Sequence, residues 1–474
     1  MNPLFLERME QLIPDEMDAF LASMEQPLIK GVRISSAKCS PADVHQKLPW
    51  LVRPSPFAPN SYYTEESVGL HPYHIEGLLY MQEPSASAAV TVLNPSSTDT
   101  VLDLCAAPGS KSTQIAEKVK DGFLVANEID SSRAKILLSN LERMGAENIA
   151  VTNMDAPTLC RQLPDYFDKV LVDAPCSGEG MMKKHAAALE GWSMDNIHLC
   201  AARQKEIVPY AISALKPGGE MVYSTCTYAP EENEQMVAWI LENFPEMEQL
   251  DPEVDFGRHG IPTPGMDETR VVRIFPMDGG EGHFIARFRK RDDASASSGK
   301  TAAELKNQKL PKEAAEFLEE NGALHYSNCM VSKSKEGSAV SVMNHPFLDF
   351  KKGKVLRQGV LLGQLIKNRF EPGHAFYLSA AAADKVIKTE LSLDQMDAAM
   401  HGEPVSAYAP KGFTALCYDG VPFAYGKSIG SRINNKLPKG LRLNPNSHVR
   451  CDFGSERKEE KRMEKTDCQG GLSE

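Results

Sequence analysis

Between Pro95 and Lys290, short β-branched or apolar runs alternate with longer stretches of helical period, a pattern that specifies a parallel sheet with crossover helices. Six runs read as strands: Val101 to Leu104, Phe123 to Asn127, Ile149 to Thr152, Lys169 to Val172, Glu220 to Ser224 and His283 to Phe288. The clearest helix follows the second of these. Ser131 or Ser132 can cap it, Ala134, Leu137, Leu138, Leu141 and Met144 recur every three or four residues, and Gly145 closes it. Such a sheet binds ligands beyond the carboxyl ends of its strands, near the reversal of strand order. The chemistry is therefore expected in the residues just after each strand.

At 474 residues the chain is too long for one domain. With 42% hydrophobic against 24% charged residues it can fill sizeable cores, which excludes a disordered polymer. No run is long enough to span a bilayer, and residues 1–30 carry acids where a signal peptide would be basic and then apolar. A cytoplasmic protein without a membrane partner is expected. Ten cysteines are scattered without a C-x-x-C pair, which argues against a disulfide framework and against structural zinc; no metal is expected. The formal charge is −12, yet residues 331–450 hold 17 Lys or Arg against 9 Asp or Glu, a local +8 that modestly favours a polyanion partner over a merely solvated face. Lys290 to Lys312, polar and rich in Ser, Ala and Lys without an evident buried face, reads as a linker. The charged run from Ser455 to Glu474 reads as a disordered tail.

The first strand runs into Cys105-Ala106-Ala107-Pro108-Gly109-Ser110-Lys111-Ser112, and a helical stretch follows. Small residues between strand and helix let a ligand approach the backbone, with amide donors at the helix start. A dinucleotide would want G-x-G-x-x-G and a phosphate loop G-x-x-x-x-G-K-[ST]; neither is present. S-adenosylmethionine carries no phosphate and tolerates fewer glycines. About 20 residues on, where an acid accepts ribose hydroxyls, stand Glu128 and Asp130. Glu128, which ends the apolar strand, is the better candidate, with Asp130 as an alternative helix cap. Asp155 follows the third strand, where it would either meet an adenine amino group or cap a helix.

The fourth strand leads into Asp173-Ala174-Pro175-Cys176-Ser177-Gly178-Glu179-Gly180, and the next into Ser224-Thr225-Cys226-Thr227. Cys39, Cys160, Cys200, Cys329 and Cys417 read as small buried hydrophobes. Cys176 and Cys226 stand apart, in turns beyond strands that should be neighbours. Carbon 5 of cytosine is too weak a nucleophile to take a methyl group until a thiolate adds at carbon 6, and that chemistry suits a thiol beside a methyl donor. A protonated Asp173 near N3 would neutralise charge as the adduct forms. Spacing alone leaves open which cysteine attacks.

These segments, with Gln82-Glu83-Pro84-Ser85-Ala86 and Gly280-Glu281-Gly282-His283-Phe284, resemble the Nol/Nop/Sun family of RNA cytosine-5 methyltransferases, in particular its branch acting on bacterial small-subunit rRNA. The resemblance implies an α/β fold: a Rossmann-like S-adenosylmethionine-dependent core at 91–289 behind a small N-terminal α+β substrate-positioning domain at 1–90. Beyond a linker at 290–312 it implies an α+β domain at 313–390, a PUA-like RNA-binding module at 391–454 and a tail at 455–474. Gly359 to Gly363, Lys367 to Pro372, Asp419 to Lys427 and Pro438 to Arg442 carry that C-terminal likeness. It further implies Cys226 as nucleophile, Cys176 as the thiol that assists release, and Asp173 beside the base. The cofactor S-adenosylmethionine would lie against Cys105, Ala106, Ala107, Pro108, Gly109, Ser110 and Lys111, with Glu128 on the ribose, Asp155 at the adenine and Asp173 nearby. Two departures stand out: Gly109-Ser110-Lys111-Ser112 replaces a usual Gly-Gly-Lys-Thr, and Met181-Met182-Lys183-Lys184-His185 stands where Phe-Arg-Lys-Asp is common.

The expected activity is methylation of carbon 5 of cytosine in 16S rRNA, in the assembled 30S subunit, by a monomer. A tRNA methyltransferase and a non-catalytic ribosome assembly factor are the alternatives, the latter having no need of two thiols at strand ends.

Overall fold

The computed structural model describes residues 2–184, 192–295, 299, 301–321, 326–333, 337–367, 369–380, 382 and 385–451. His185, Asn368 and the tail at 455–474 lie outside the described residues.

A nine-stranded sheet dominates. Five strands run parallel: β5 (Thr100–Asp103), β6 (Phe123–Asn127), β7 (Ile149–Asn153), β8 (Phe167–Asp173) and β9 (Leu215–Thr225). Four antiparallel strands flank them: β10 (Met247–Leu250), β11 (Val271–Ile274), β12 (His283–Lys290) and β15 (Lys354–Gln358). The order is β10-β12-β9-β8-β5-β6-β7-β15, with β11 also on β12. The chain winds from β5 through β6 to β7, then returns to build β8 and β9 on the other side, so the order reverses between β5 and β8. Strands buried on both faces read as near-continuous apolar runs, as the buried Phe-Leu-Val-Ala of β6 does before it ends in Asn127. One face packs Leu102, Phe123 and Val170, the other Val101, Leu124 and Leu171, each against its own helices.

All six expected strands form, with one large revision of length. β9 begins at Leu215 rather than Glu220, because Leu215 already pairs with Phe167 of β8 and the ladder resumes at Glu220 opposite Lys169, with Pro217-Gly218-Gly219 in the register irregularity between them. The Ser131–Arg143 helix is capped by neither Ser131 nor Ser132. Asp130 accepts the amides of Ser132 and Arg133, and a carboxylate there also complements the helix dipole.

A second sheet lies N-terminal to the first, in the order β2-β3-β1-β4: β1 (Lys30–Ile34), β2 (Arg53–Pro54), β3 (Ser61–Thr64) and β4 (Leu79–Gln82). C-terminal to the large sheet come β13 (Asn328–Lys333), β14 (Ser338–Met343), β16 (Val360–Ile366) and β17 (Arg369–Pro372) in one sheet. Another sheet holds β18 (Lys388–Glu390), β19 (Gly412–Tyr418), β20 (Val421–Ser428) and β21 (Ile433–Asn435). β15 leaves its neighbours in sequence to pair with β7. The β19–β20 hairpin tip in turn reaches the N-terminal sheet's helices, where the Tyr73 hydroxyl and Lys47 both meet Asp419.

The 290–312 stretch is not free of the core. Ala302 donates its amide to Gln162, Leu305 donates to Phe347 and Ala303 accepts from Asp349, while Ala302 and Leu305 pack on the large core. Two apolar side chains and a few backbone hydrogen bonds leave little compositional trace, hence the sequence reading of a stretch without a buried face. No helix among the described residues is long and apolar enough to cross a membrane.

Candidate active site

Beyond the carboxyl ends of β5 to β9 opens a cavity of about 1200 Å³, lined by Cys105, Ala107, Glu128, Asp130, Asp155, Asp173, Cys176 and Cys226 among others. Residues scattered over 120 positions of sequence meet here because every parallel strand delivers its last residues to the same edge.

The loop after β5 is shaped by Gly109, whose φ of +113° suits glycine and at which a Cβ would stand 3.1 Å from Leu137 Cδ1. Ala106 donates its amide to Asn127, and the Ala107 and Pro108 carbonyls accept from Arg133 and Asn140. Ser110 opens the Ser110–Lys118 helix and Ser112 hydrogen-bonds Asp103 at 2.6 Å. Asn127 ties the strand ends together: its amide nitrogen donates to the carbonyls of Leu104 and Met154, and its oxygen accepts from Thr152. Sequence reasoning passed over Asn127, though an amide beside Glu128 at a strand end is a readable signal.

Glu128 is 3% exposed; one oxygen accepts the Asp130 amide and the other lies 3.2 Å from Arg133. Asp155 takes the cap alternative, accepting the Thr158 amide at 2.6 Å, and the Thr158 hydroxyl together with that amide holds its carboxyl below the usual range. It lines the same cavity, so the cap does not remove it from a ligand's reach.

At the ends of β8 and β9, Asp173 pairs in register with Ser224. The two thiols that follow are free, and their sulfurs stand 3.3 Å apart, a hydrogen-bond distance. The Cys226 amide also donates to Cys176 Sγ at 3.4 Å, and Gly180 donates to the Cys226 carbonyl. A Cβ at Gly180 would come within 2.9 to 3.0 Å of three carbonyl oxygens, so only glycine lets the two turns close on each other. The hydrogen bond to Cys226, with burial second, raises Cys176 well above a free thiol. Cys176 therefore stays protonated and can donate to Cys226.

Asp173 does not hold the proton expected of it. Burial raises its carboxyl, but the Lys111 ammonium at 2.8 Å and the Ser224 hydroxyl at 2.9 Å outweigh that and bring it below the usual range. Lys111, itself buried, is held protonated by the same pairing. Asp173 is an anion, and the proton beside it sits on lysine.

Supports absent from the sequence reading surround the thiols. Glu179 accepts from Trp192 Nε1, Thr227 and the Tyr228 amide. Glu232 meets the Ser177 hydroxyl and accepts from the Ser177 amide and Gln204, and the buried Glu234–Arg273 pair at 2.6 Å braces the Tyr228 carbonyl. Arg203, Lys205 and Tyr210 line the cavity from the long Met194–Ala214 helix. Of the departing Met181 to His185 segment, Lys183 forms a buried pair with Glu281, which also accepts the Ile29 amide. Outside the cavity, Asp397 and His401, on and at the end of the Leu393–Met400 helix, cluster with His448. Both His401 nitrogens lie on carbonyl oxygens, of Asp397 and Asn444, so the ring donates there rather than ligating.

The sequence profile described as 16S rRNA methyltransferase RsmB/F matches residues 90–289. Profiles for the N-terminal domain of 16S rRNA methyltransferase RsmF, its first C-terminal domain and its PUA domain match 1–84, 317–379 and 386–443. A ribosomal RNA small subunit methyltransferase F from Vibrio campbellii is 32% identical over 92% of this chain and 96% of its own length. One from Escherichia fergusonii is 32% identical over 92% and 95%. The chain belongs to the RsmB/F family of 16S rRNA methyltransferases. Members use S-adenosylmethionine to methylate carbon 5 of cytosine in rRNA. Among solved structures, a methyltransferase homolog from Pyrococcus horikoshii aligns at TM-score 0.55 with 30% identity, covering 61% of this chain and 95% of that one. NSun6 from Pyrococcus horikoshii, solved with SFG, shares the fold at TM-score 0.54 and 22% identity, over 61% and 98%.

Proposed function

We propose that this protein methylates carbon 5 of a cytosine in 16S rRNA of the assembled 30S subunit, as a cytoplasmic monomer, through a covalent adduct to Cys226. The observation that carries the reading is the pair of thiols 3.3 Å apart in the cavity that also presents Glu128 and Asp173.

The cavity fits S-adenosylmethionine: small residues and a left-handed glycine at the loop, a buried carboxylate at the end of β6 for the ribose, and Asp155 at the end of β7 for the adenine. That cofactor supplies an electrophilic methyl group. A base within structured rRNA is flipped to enter. Cys226 as thiolate adds to carbon 6, and the electron pair pushed to carbon 5 makes that carbon enamine-like and able to take the methyl. Lys111 stands where it can neutralise charge at N3, with Asp173 as its anchor. The carbon 5 proton then leaves and the Cys226–carbon 6 bond breaks, restoring the ring; Cys176 assists this release.

RNA outside the pocket would lie on the basic C-terminal modules, where exposed Tyr408 and Ile429 stand in a segment with exposed Lys411, Lys427, Arg432 and Lys436. Cations and an aromatic face contact phosphate and base without reading much sequence.

The test incubates unmutated protein, Cys226→Ala and Cys176→Ala with 30S particles and S-adenosylmethionine and resolves protein–RNA adducts on a denaturing gel. Adduct only with Cys176→Ala supports the roles; adduct with Cys226→Ala reverses them. Labelled-methyl competition between 30S particles, free 16S rRNA and tRNA tests the substrate, and preference for tRNA would overturn it.

A further inference from the structure

The two cysteine turns are joined by a chain of oxygens that the reaction above does not use. Glu232 Oε1 meets the Ser177 hydroxyl, Ser177 Oγ lies 2.8 Å from Thr227 Oγ1, and Thr227 Oγ1 lies 2.9 Å from Glu179 Oε2. Ser177 follows Cys176 in sequence and Thr227 follows Cys226, so the chain runs directly behind both thiols. Each of the three contacts needs a hydrogen. Ser177 and Thr227 bring one each, so two carboxylates would leave one contact empty. A third proton on Glu232 fills it: Glu232 Oε1–H donates to Ser177, Ser177 to Thr227, and Thr227 to Glu179. The remaining contacts agree, since Glu232 Oε2 accepts from the Ser177 amide at 3.0 Å and from Gln204 Nε2 at 2.8 Å. Burial raises the Glu232 carboxyl to about 7, against the opposing hydrogen bonds from Ser177 and Gln204 and with a push from Glu179. The other titratable or charged groups facing this network are Cys176, Cys226, Cys200, Tyr223, Tyr228 and Arg203.

The geometry assigns to Glu232, in its protonated form, the role of a positioning residue that holds the Cys176 turn against the Cys226 turn and so governs release of methylated RNA from the covalent adduct. The assignment rests on the roles of attack and release proposed for Cys226 and Cys176. Attack needs only Cys226, the base and the cofactor. Release needs Cys176 to stay in register with the adduct after Cys226 has given up its hydrogen-bond partner for carbon 6. The tie through Ser177 then keeps Cys176 in place. When Glu232 ionises, the Ser177–Thr227 contact loses its hydrogen and this side-chain tie between the two turns is lost.

The experiment uses full-length protein, 30S particles and S-adenosylmethionine, following single-turnover methyl transfer and adduct decay separately from about pH 6 to about pH 8.5. Glu232→Gln keeps a neutral group with a donor and an acceptor. It is expected to release RNA at the unmutated rate at low pH and to lack the slowing that the unmutated protein shows above about pH 7. Glu232→Ala is expected to accumulate adduct as Cys176→Ala does, with release slowed about tenfold or more and methyl transfer within about twofold. Equal loss of transfer and release in both variants, or unmutated release with an unmutated pH profile in Glu232→Gln, would overturn the assignment. If Cys176→Ala in the same experiment accumulates no adduct, it is the underlying assignment of release to Cys176 that fails.

Discussion

The ends of β8 and β9 and the β19–β21 face treat polar groups in opposite ways. Around the thiols, Asp173, Lys111, Glu179, Glu232 and Arg273 are each met by partners within hydrogen-bond range and largely shielded from water. On the C-terminal face, Lys411, Lys427, Arg432 and Lys436 are exposed, and Lys427 leans on the Phe413 ring 5.3 Å away. A buried polar group is costly unless paired, so its geometry is fixed before a substrate arrives; an exposed cation is inexpensive, mobile and exchangeable. On the function proposed above, chemistry falls to the first region and RNA capture to the second. Substitutions in the two should differ in kind as well as in size.

The sharpest way to break that contrast is Lys111→Met. It leaves Asp173 buried without its cation, so turnover should fall about a hundredfold or more, in kcat rather than in RNA affinity. The Asp173 carboxyl lies below its usual range because of Lys111. Removing the cation moves that carboxyl up, so at acid pH a protonated Asp173 can itself neutralise charge at N3 and the loss of activity relative to the unmutated protein should be smaller at acid pH than at neutral pH; a pH–rate profile parallel to that of the unmutated protein would sink the argument. Arg273→Ala, which strands the buried Glu234 beneath the Cys226 turn, should cost about 3 kcal/mol of stability, read as an earlier denaturant midpoint. Glu128→Ala should weaken S-adenosylmethionine binding about tenfold by calorimetry, roughly what losing charge-assisted hydrogen bonds costs, while leaving RNA affinity unchanged. Replacing Lys411, Lys427 and Arg432 together by Gln should reverse that split: RNA affinity several-fold weaker, a salt dependence shallower by about 2 to 3 units of slope, and kcat unmoved at saturating RNA. The smallest effect is expected from Asp419→Ala, which frees the β19–β20 tip from Tyr73 and Lys47. A melting shift of about 2 °C or less should accompany it, since one hydrogen bond and one exposed ion pair contribute little.

The core sheet was legible because each strand and helix announces itself within about a dozen residues, and the cavity residues because they follow those strands by rule. Cys176, Cys226, Asp173, Glu128, Cys105 and Ala107 all line one cavity, and of the rest of the loop Lys111 meets that cavity's Asp173. What escaped the sequence depends on distance or on protons. β15 pairs with a strand some 200 residues earlier, and nothing local in Lys354-Val355-Leu356-Arg357-Gln358 marks its partner. The charge on Asp173 is set by a lysine 62 positions away, so the residue could be chosen correctly and its protonation reversed. Glu232 lay unread six residues beyond Cys226 because its significance is a hydrogen count across two turns. Pro217-Gly218-Gly219 shows the remaining limit: turn-forming residues can be carried within a strand as an irregularity when paired residues flank them on both sides.

Because β15 covers the outer side of β7, the methyltransferase sheet is completed by residues that emerge from the ribosome long after its own last strand. A nascent chain that had reached only residue 290 would present β7 as an open row of amides and carbonyls, a surface that other extended chains can join. Once Lys354–Gln358 docks, the new border is five residues long, interrupted by a register irregularity and studded with Lys354 and Arg357, features that discourage further strand addition. A fragment cut after residue 290 should for this reason be prone to self-association, and the C-terminal part guards the fold whether or not it also holds RNA as proposed.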